Sequence, residues 1–252
     1  MALIYPLSFQ LYSGRKYPPL NSQLTIIADA GFTNVEPYGA LYGDASGLAR
    51  LLGDYGLTAK TGHFGLSQLE EDFDGMIVAA DILGITTLIA PSLPDEQRPA
   101  DVEGWKAVGA RLAMLSEKIA RAGRRFAWHN HAFEFAALPD GSRPLEHILG
   151  DGVLWEADIA WLMRGGAEAA PWLKRYEGRV PAVHVKDIAV AGENSEEDGW
   201  ADVGTGTADW QMLWPLCVAA GAEIMVAEHD NPSDLRRFAT VSADTMRTLA
   251  NN

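Results

Sequence analysis

Short runs rich in Val, Ile, Leu and aromatic residues recur along the chain, and each is followed by a longer segment with apolar residues at helical spacing. Read as strands, the runs begin near Ile4, Asn34, Thr58, Thr87, Arg125, Leu154, Ala182 and Glu223. Eight strands alternating with helices predict repeated βα units and a closed (β/α)₈ TIM barrel. Helix starts are expected at Asn21, ahead of Leu24, Ile26 and Ile27, at Ser67 with Glu70 three residues on, and at Asp101, ahead of an amphipathic stretch ending near Gly123. Gly31, Gly56, Gly84, Gly123 and Gly221 each stand just before the next strand, where a left-handed C-cap suits glycine. No composition break divides the chain, so residues 1–252 read as one barrel domain. The acidic, turn-rich stretch from Gly192 to Asp202 reads as a solvated surface loop, with a lid as the alternative.

Composition narrows the class without changing the fold. With 48% hydrophobic and 21% charged residues the chain is an ordinary globular protein. Its formal net charge of −14 opposes binding to phosphate backbones or anionic lipid, so neither nucleic acid nor a membrane is an expected partner. The single cysteine, Cys217, lies in an apolar run and reads as a buried, inert thiol, which leaves no disulfide or thiolate cluster to consider. Met1 to Pro6 lack the basic start and long apolar run of a signal peptide, and the expected address is cytoplasmic. A homo-oligomer is compatible with all of this.

In such a barrel the C-terminal ends of the strands face the active site, so polar residues closing an apolar run are the ones to weigh. The second run ends in Glu36, the third in His63 and the fifth in His129, Asn130 and His131. The sixth ends in Asp158, the seventh in His184, Lys186 and Asp187, and the eighth in Glu228, His229 and Asp230. A lone strand-end acid or histidine is more often a structural hydrogen-bonding group, but here several strands converge. Closure would bring Asp158, His184 and Glu228 together, a mixed nitrogen and oxygen set that suits Mn²⁺, Co²⁺, Mg²⁺ or Zn²⁺ and excludes a soft-metal site.

The segments Val35-Glu36-Pro37, Trp128-His129-Asn130-His131 with Phe133-Glu134-Phe135, and Glu156-Ala157-Asp158 set the pattern. Val183-His184-Val185-Lys186-Asp187, Val203-Gly204-Thr205-Gly206 and Ala227-Glu228-His229-Asp230 complete it. In order and spacing the chain resembles the xylose isomerase-like TIM barrels known as sugar phosphate isomerases/epimerases. The resemblance runs from the first strand to the last helix. It implies a divalent metal, Mn²⁺ first, bound by Glu, Asp, His and Glu from strands five to eight, three of which fall on Asp158, His184 and Glu228. His129 stands where many relatives carry the strand-five Glu, a departure shared with relatives of inosose dehydratase. The expectation is that His129 completes the site, since it sits where the strand reaches the mouth. Glu134, which would need the next loop to fold back, is the alternative ligand and otherwise a substrate contact.

Roles follow from chemistry and from the resemblance together. Glu228 is the first choice for both ligand and base, and His131 for an acid, a base or a group orienting a ligand. Lys186 follows His184 at strand period two and is set to meet a substrate oxygen, unless it pairs with an acid such as Glu156 or Asp187. Glu36 and His63 are implied pocket residues. Trp161 is a candidate wall against a sugar face, and Gly204-Thr205-Gly206 reads as a turn rather than a phosphate cradle. The expected function is a metal-dependent isomerase or epimerase of a sugar, acting through an enediolate. The alternative is a lyase or dehydratase on a keto sugar or keto-inositol. A DNA-repair endonuclease and a non-catalytic sugar-binding barrel are the competing classes, and the acidic charge opposes the first.

Overall fold

The computed structural model describes residues 5–251. Its elements run β1 (Tyr5–Gln10), α1 (Leu20–Asp29), β2 (Asn34–Glu36), α2 (Ala45–Asp54), β3 (Thr58–Ala59), β4 (Thr61–His63), α3 (Leu66–Glu71) and α4 (Phe73–Leu83). Then follow β5 (Thr87–Ala90), α5 (Val102–Arg121), β6 (Arg125–His129), α6 (Pro144–Leu149), β7 (Leu154–Asp158), α7 (Ile159–Arg164) and α8 (Ala169–Arg175). The chain ends with β8 (Ala182–Val185), β9 (Asp187–Ile188), β10 (Trp200–Ala201), α9 (Trp210–Ala219), β11 (Ile224–Ala227) and α10 (Leu235–Ala250). Ile4, where the first run was placed, lies outside the described residues, as do the residues before it.

The main sheet is parallel throughout, in the order β3-β2-β1-β11-β8-β7-β6-β5-β4. Its two ends, β3 and β4, are halves of the single third strand expected from the sequence. The first half pairs with β2 and the second with β5, so the strand shifts partners at Lys60 and the sheet closes on itself. The seam is stitched where the His63 amide donates to the Pro37 carbonyl at 2.8 Å. Eight strands therefore make one TIM barrel. Phe126, Ala127 and Trp128 are all buried, as are Val183, Val185 and Ile224 to Ala227. Covered on both faces, parallel strands read as continuous apolar runs.

Local chemistry sets most element ends. Asp101 caps α5 by accepting from the Gly104 amide at 2.8 Å, where the sequence places the start. Two other starts move: α1 begins at Leu20 after Pro19, and α3 at Leu66, so Asn21 and Ser67 fall inside first turns. Pro19 stands at the extended cap position of α1, where its missing amide hydrogen leaves no helical bond unmade. At α3 the Gln68 side chain, not Ser67, accepts from the Gly65 amide. All five expected glycine stops have positive φ, among them Gly84 at 74° as the left-handed cap of α4. Cys217 is buried and its thiol is pushed well up by that burial, in keeping with an inert role.

The stretch from Gly192 to Asp202 is a surface turn, with Gly192, Glu193, Ser195, Glu196 and Asp198 exposed, but it is pinned down along one side. It forms the turn of an antiparallel hairpin, β9 with β10, that buries Glu197 and Trp200. Glu197 accepts from the Ser233 amide and from Arg237, both at 2.6 Å, and Arg237 also bonds Asp202 at 2.7 Å. Acidic composition alone hid this anchoring, because the partner arginine lies on α10, far along the chain.

Two outcomes test this packing. At Gly109 in α5 a Cβ would sit 2.0 Å from the His147 carbonyl oxygen of α6, and a backbone atom cannot swing away. Gly109→Ala should cost about 1–3 kcal/mol in urea unfolding, whereas Gly53→Ala, with nothing within 4 Å, should be neutral or stabilising. The second concerns Glu197: burial pushes its carboxyl up, but Arg237 and Ser233 outweigh it and hold it at about 2, below the ordinary 4.5. A depressed folded-state pKa contributes stability present above the unfolded value and lost as pH falls through the folded one. Glu197→Gln should lower the thermal midpoint at pH 7, and its deficit relative to wild type should shrink between about pH 4.5 and pH 2.

Candidate metal centre

Four strands bring pairs of side chains two residues apart to the barrel mouth, because strand period two keeps such pairs on one face. β7 carries Glu156 and Asp158, and β8 carries His184, with Lys186 just beyond it. Glu228 and Asp230 follow β11, and His129 ends β6 with His131 just after it. In register Asp158 pairs with His184, and His129 with Glu156.

His129, Asp158, His184 and Glu228 each offer a ligand atom lying within 4.8 Å of the others, and all four residues are buried. A second such group, sharing two members, is His63, His129, Glu156 and His184. Beneath the first set, the Glu36 Oε1 is 2.7 Å from His184 Nε2 and 3.0 Å from His63 Nε2. Glu156 Oε2 is 2.7 Å from His63 Nε2 and 3.2 Å from both His129 Nδ1 and His184 Nε2. His184 Nδ1 lies 2.8 Å from Glu228 Oε2. Gln10 donates to Glu36 at 2.7 Å and fixes it from below.

Packed this closely, the groups set one another's protonation. Burial pushes Glu36 up, but the His63 and His184 imidazoles outweigh it and hold it well below the carboxylate range. Burial likewise opposes charge on His63, which Glu36 and Glu156 nevertheless raise to about 9, and on His184, which Glu156, Glu228 and Glu36 raise further. Glu228 is held low by Lys186 and His184 against its own burial. His129 is driven well down by burial and by the charge on His184 and His63, so it is neutral. Burial and Lys186 push His131 down to about 3. Asp158 is raised to about 7, by burial first and with Glu228 adding to it, while Lys186 works against both.

The donor set fits a divalent cation. Two imidazoles and two carboxylates are the borderline nitrogen and oxygen ligands that Mn²⁺, Co²⁺ and Zn²⁺ accept. Asp158 Oδ2 is buried without a hydrogen-bond partner among the described residues, an expensive state unless something else satisfies it.

Glu134 takes another part. Its Oε1 accepts from Trp128 Nε1 at 3.0 Å and its Oε2 from the His131 amide at 2.8 Å, within a buried 3-10 turn, Phe133–Phe135. Burial lifts its carboxyl to about 8. Both oxygens are therefore engaged by the strand end rather than turned to the cavity.

A cavity of about 470 Å³ opens above the cluster and is lined by His63, His129, His131, Glu228 and Asp230 of the strand ends. Tyr12, Tyr38 and Ser92 from the segments after the strands, and Gln68 from α3, add to the wall. Glu36 and Trp161 lie behind this wall. Trp161 packs edge-on against Trp200, with ring centres 4.7 Å apart, and lies 5.3 Å from His131. Lys186 is fully buried, bonded to Asp230 at 2.5 Å and to Glu228 at 3.3 Å, with Asp158 at 3.7 Å. Its ammonium lies 4.2 Å from the Trp200 ring centre. It does pair with strand-end acids, though not with Glu156 or Asp187. Asp187 instead accepts from the amides of Gly204, Gly206 and Ala208, which makes the glycine segment a turn wrapped on an internal carboxylate. Asp230, Tyr12 and Tyr38 were not singled out from the sequence as pocket residues. Asp230 was within reach, two residues after Glu228.

No family model matches the chain. The rhizopine catabolism protein MocC of Rhizobium meliloti is 25% identical over 190 residues, 68% of this chain and 58% of that protein, so the match spans little more than half of the relative's length. A sugar phosphate isomerase/epimerase from Parabacteroides distasonis ATCC 8503 has a similar structure, with a TM-score of 0.76 at 21% identity over 94% of this chain and 92% of that one. The IolI protein, solved with a bound zinc atom, gives a TM-score of 0.77 at 16% identity over 98% of each chain. The class is thus a single TIM barrel with a buried imidazole and carboxylate cluster at its mouth. More narrowly, the chain has the fold of the xylose isomerase-like barrels that its motifs resemble. Among the described residues no helix is long and apolar enough to cross a membrane.

The two rival strand-five ligands can be separated by equilibrium binding of Mn²⁺ or Zn²⁺. His129→Ala should weaken uptake more than about 100-fold, beyond what loss of an outer partner costs, while Glu134→Gln should stay within a few-fold of wild type. The reverse pattern would transfer the ligand role to Glu134.

Proposed function

We propose that this chain is a divalent-cation-dependent enzyme that isomerises or epimerises a monosaccharide or close derivative through an enediolate. The observation that carries the reading is the convergence of ligand atoms of His129, Asp158, His184 and Glu228 within 4.8 Å of one another, with His129 and Glu228 lining the cavity. The isomerase/epimerase name of the P. distasonis protein and the zinc of IolI support it as properties of proteins with this fold. Mn²⁺ is the proposed ion. When bound, it would polarise a substrate carbonyl and the neighbouring hydroxyl, lowering the pKa of the C–H between them.

The chain's own groups supply the rest. Lys186, held protonated by Asp230, Glu228 and Asp158, keeps Glu228 ionised and ready to act as ligand and base. His131 lines the cavity as a neutral imidazole whose Nδ1 has no partner among the described residues, so it can exchange a proton with substrate from a second direction. Asp230, tied to Lys186 at the wall, can accept from sugar hydroxyls. The presence of both His129 and His131 at the cavity favours a second reading, a lyase or dehydratase, because an acid beside the enediolate could help a β-substituent leave. The proposed partner is a small sugar, with no nucleic acid or membrane, and the proposed location is the cytoplasm.

Metal analysis of the purified chain, joined to a screen of keto sugars in D₂O with added Mn²⁺, tests the reading. The expected result is one mass unit gained at the carbon beside the carbonyl; a product lighter by a leaving group would select the lyase. Absence of bound metal and of exchange across the screen would end both. Glu228→Gln should lower turnover by at least about 100-fold with an unchanged circular dichroism spectrum, and wild-type turnover in that variant would remove Glu228 from the mechanism.

A further inference from the structure

We propose that Glu156 and Glu36 are positioning residues, fixing which nitrogen of His129 and of His184 is free to bind the cation. Neither was expected to act on the ligands: Glu156 was weighed only as a salt-bridge partner and Glu36 only as a pocket residue. Both are fully buried below the ligand set and neither lines the cavity. A carboxylate accepts hydrogen bonds and cannot donate them. Glu156 Oε2, 3.2 Å from His129 Nδ1, therefore places the hydrogen of that neutral ring on Nδ1 and leaves the lone pair on Nε2. Glu36 Oε1, 2.7 Å from His184 Nε2 with Glu156 Oε2 at 3.2 Å, places a hydrogen on Nε2 and directs Nδ1 toward Glu228.

His63 holds the two carboxylates in this arrangement. Its Nε2 lies between Glu156 Oε2 at 2.7 Å and Glu36 Oε1 at 3.0 Å, and its ring stacks on His184 with planes 6° apart. The layer Glu36, His63 and Glu156 is thus an outer shell built from three different strands, β2, β4 and β7. Groups in this position hold a ligating imidazole in one tautomer and one orientation, and their loss commonly costs 10–100-fold in metal affinity.

The consequence for affinity rests on the cation reading above, whereas the tautomer can be read without metal. The experiment is ¹⁵N-histidine NMR of the metal-free chain together with Co²⁺ titration, on wild type, Glu156→Gln and Glu36→Gln, with thermal midpoints recorded. The expected result is a wild-type His129 protonated at Nδ1 and a Glu156→Gln variant in which that signature is lost, since the amide can donate to Nδ1. Co²⁺ affinity should fall about 10–100-fold with the fold intact. Glu36→Gln should change His184 and leave the His129 tautomer in place, which keeps the idea open to test should Glu156→Gln fail to fold. An unchanged tautomer with affinity within twofold of wild type overturns the proposal. So does a wild type that binds two Co²⁺ where Glu156→Gln binds one, since Glu156 would then be a ligand. A wild type with the stated tautomer but no Co²⁺ uptake supports the positioning and sinks the cation reading instead.

Discussion

Charge buried on the barrel axis is the constraint on which the rest of the structure depends. Glu36, Glu156, Asp158, His184 and Lys186 are each 0% exposed, and an ionised group removed from water costs several kcal/mol unless partners replace its hydration. Every one of these residues meets an opposite charge or an imidazole within 4 Å. Removing any member would strand another, so the cluster is stable only as a whole. Strand lengths, register and the closing seam all serve to bring these side chains into two adjoining layers on the axis.

The cover over the cluster follows from the same demand. Lys186 could not stay protonated inside the barrel without Asp230 and Glu228, and the Trp200 and Trp161 rings shield it while offering their negative faces. Trp200 is delivered by the β9 and β10 hairpin, which in turn is tied to the barrel through Glu197 and Arg237. A segment that looks like an ordinary acidic loop is therefore coupled to the protonation of the site. The link runs through packing and ion pairs that no local sequence pattern encodes.

What could be read along the chain was whatever depends on neighbours in sequence. Apolar runs gave the eight strands, glycine stops gave the helix ends with positive φ, and strand-end polarity gave His63, His129, Asp158, His184 and Glu228. The split at Lys60 was not legible, because it arises from a change of pairing partner between β2 and β5. Glu156 was weighed only as a partner for Lys186, although it precedes Asp158 by two, the spacing that put Lys186 beside His184. Tyr12 and Tyr38 come from 3-10 segments and irregular loops, and reach the cavity only once the barrel is closed.

The end of β6 shows how side-chain hydrogen bonds carry the site past the end of a strand. Period two sets His129 and His131 on one face, and both line the cavity although the strand stops at His129. Asn130 holds the chain there. Its Oδ1 accepts from the Asp158 amide at 3.0 Å and from Trp155 Nε1 at 2.7 Å, while its Nδ2 donates to the Asp158 carbonyl at 3.0 Å. The side chain thus takes over the pairing that backbone atoms would make with β7, and the main chain is released to turn. Glu134 completes the turn by accepting from the His131 amide and the Trp128 indole. The same two residues that look like spare polar groups between the histidines and the aromatics therefore hold the His131 backbone at the cavity and anchor the backbone of Asp158. In this segment the proposed ligand, the proton-transfer candidate and the clamps that orient them occupy six consecutive positions, His129 to Glu134, and each of the four polar side chains has a different place in the arrangement.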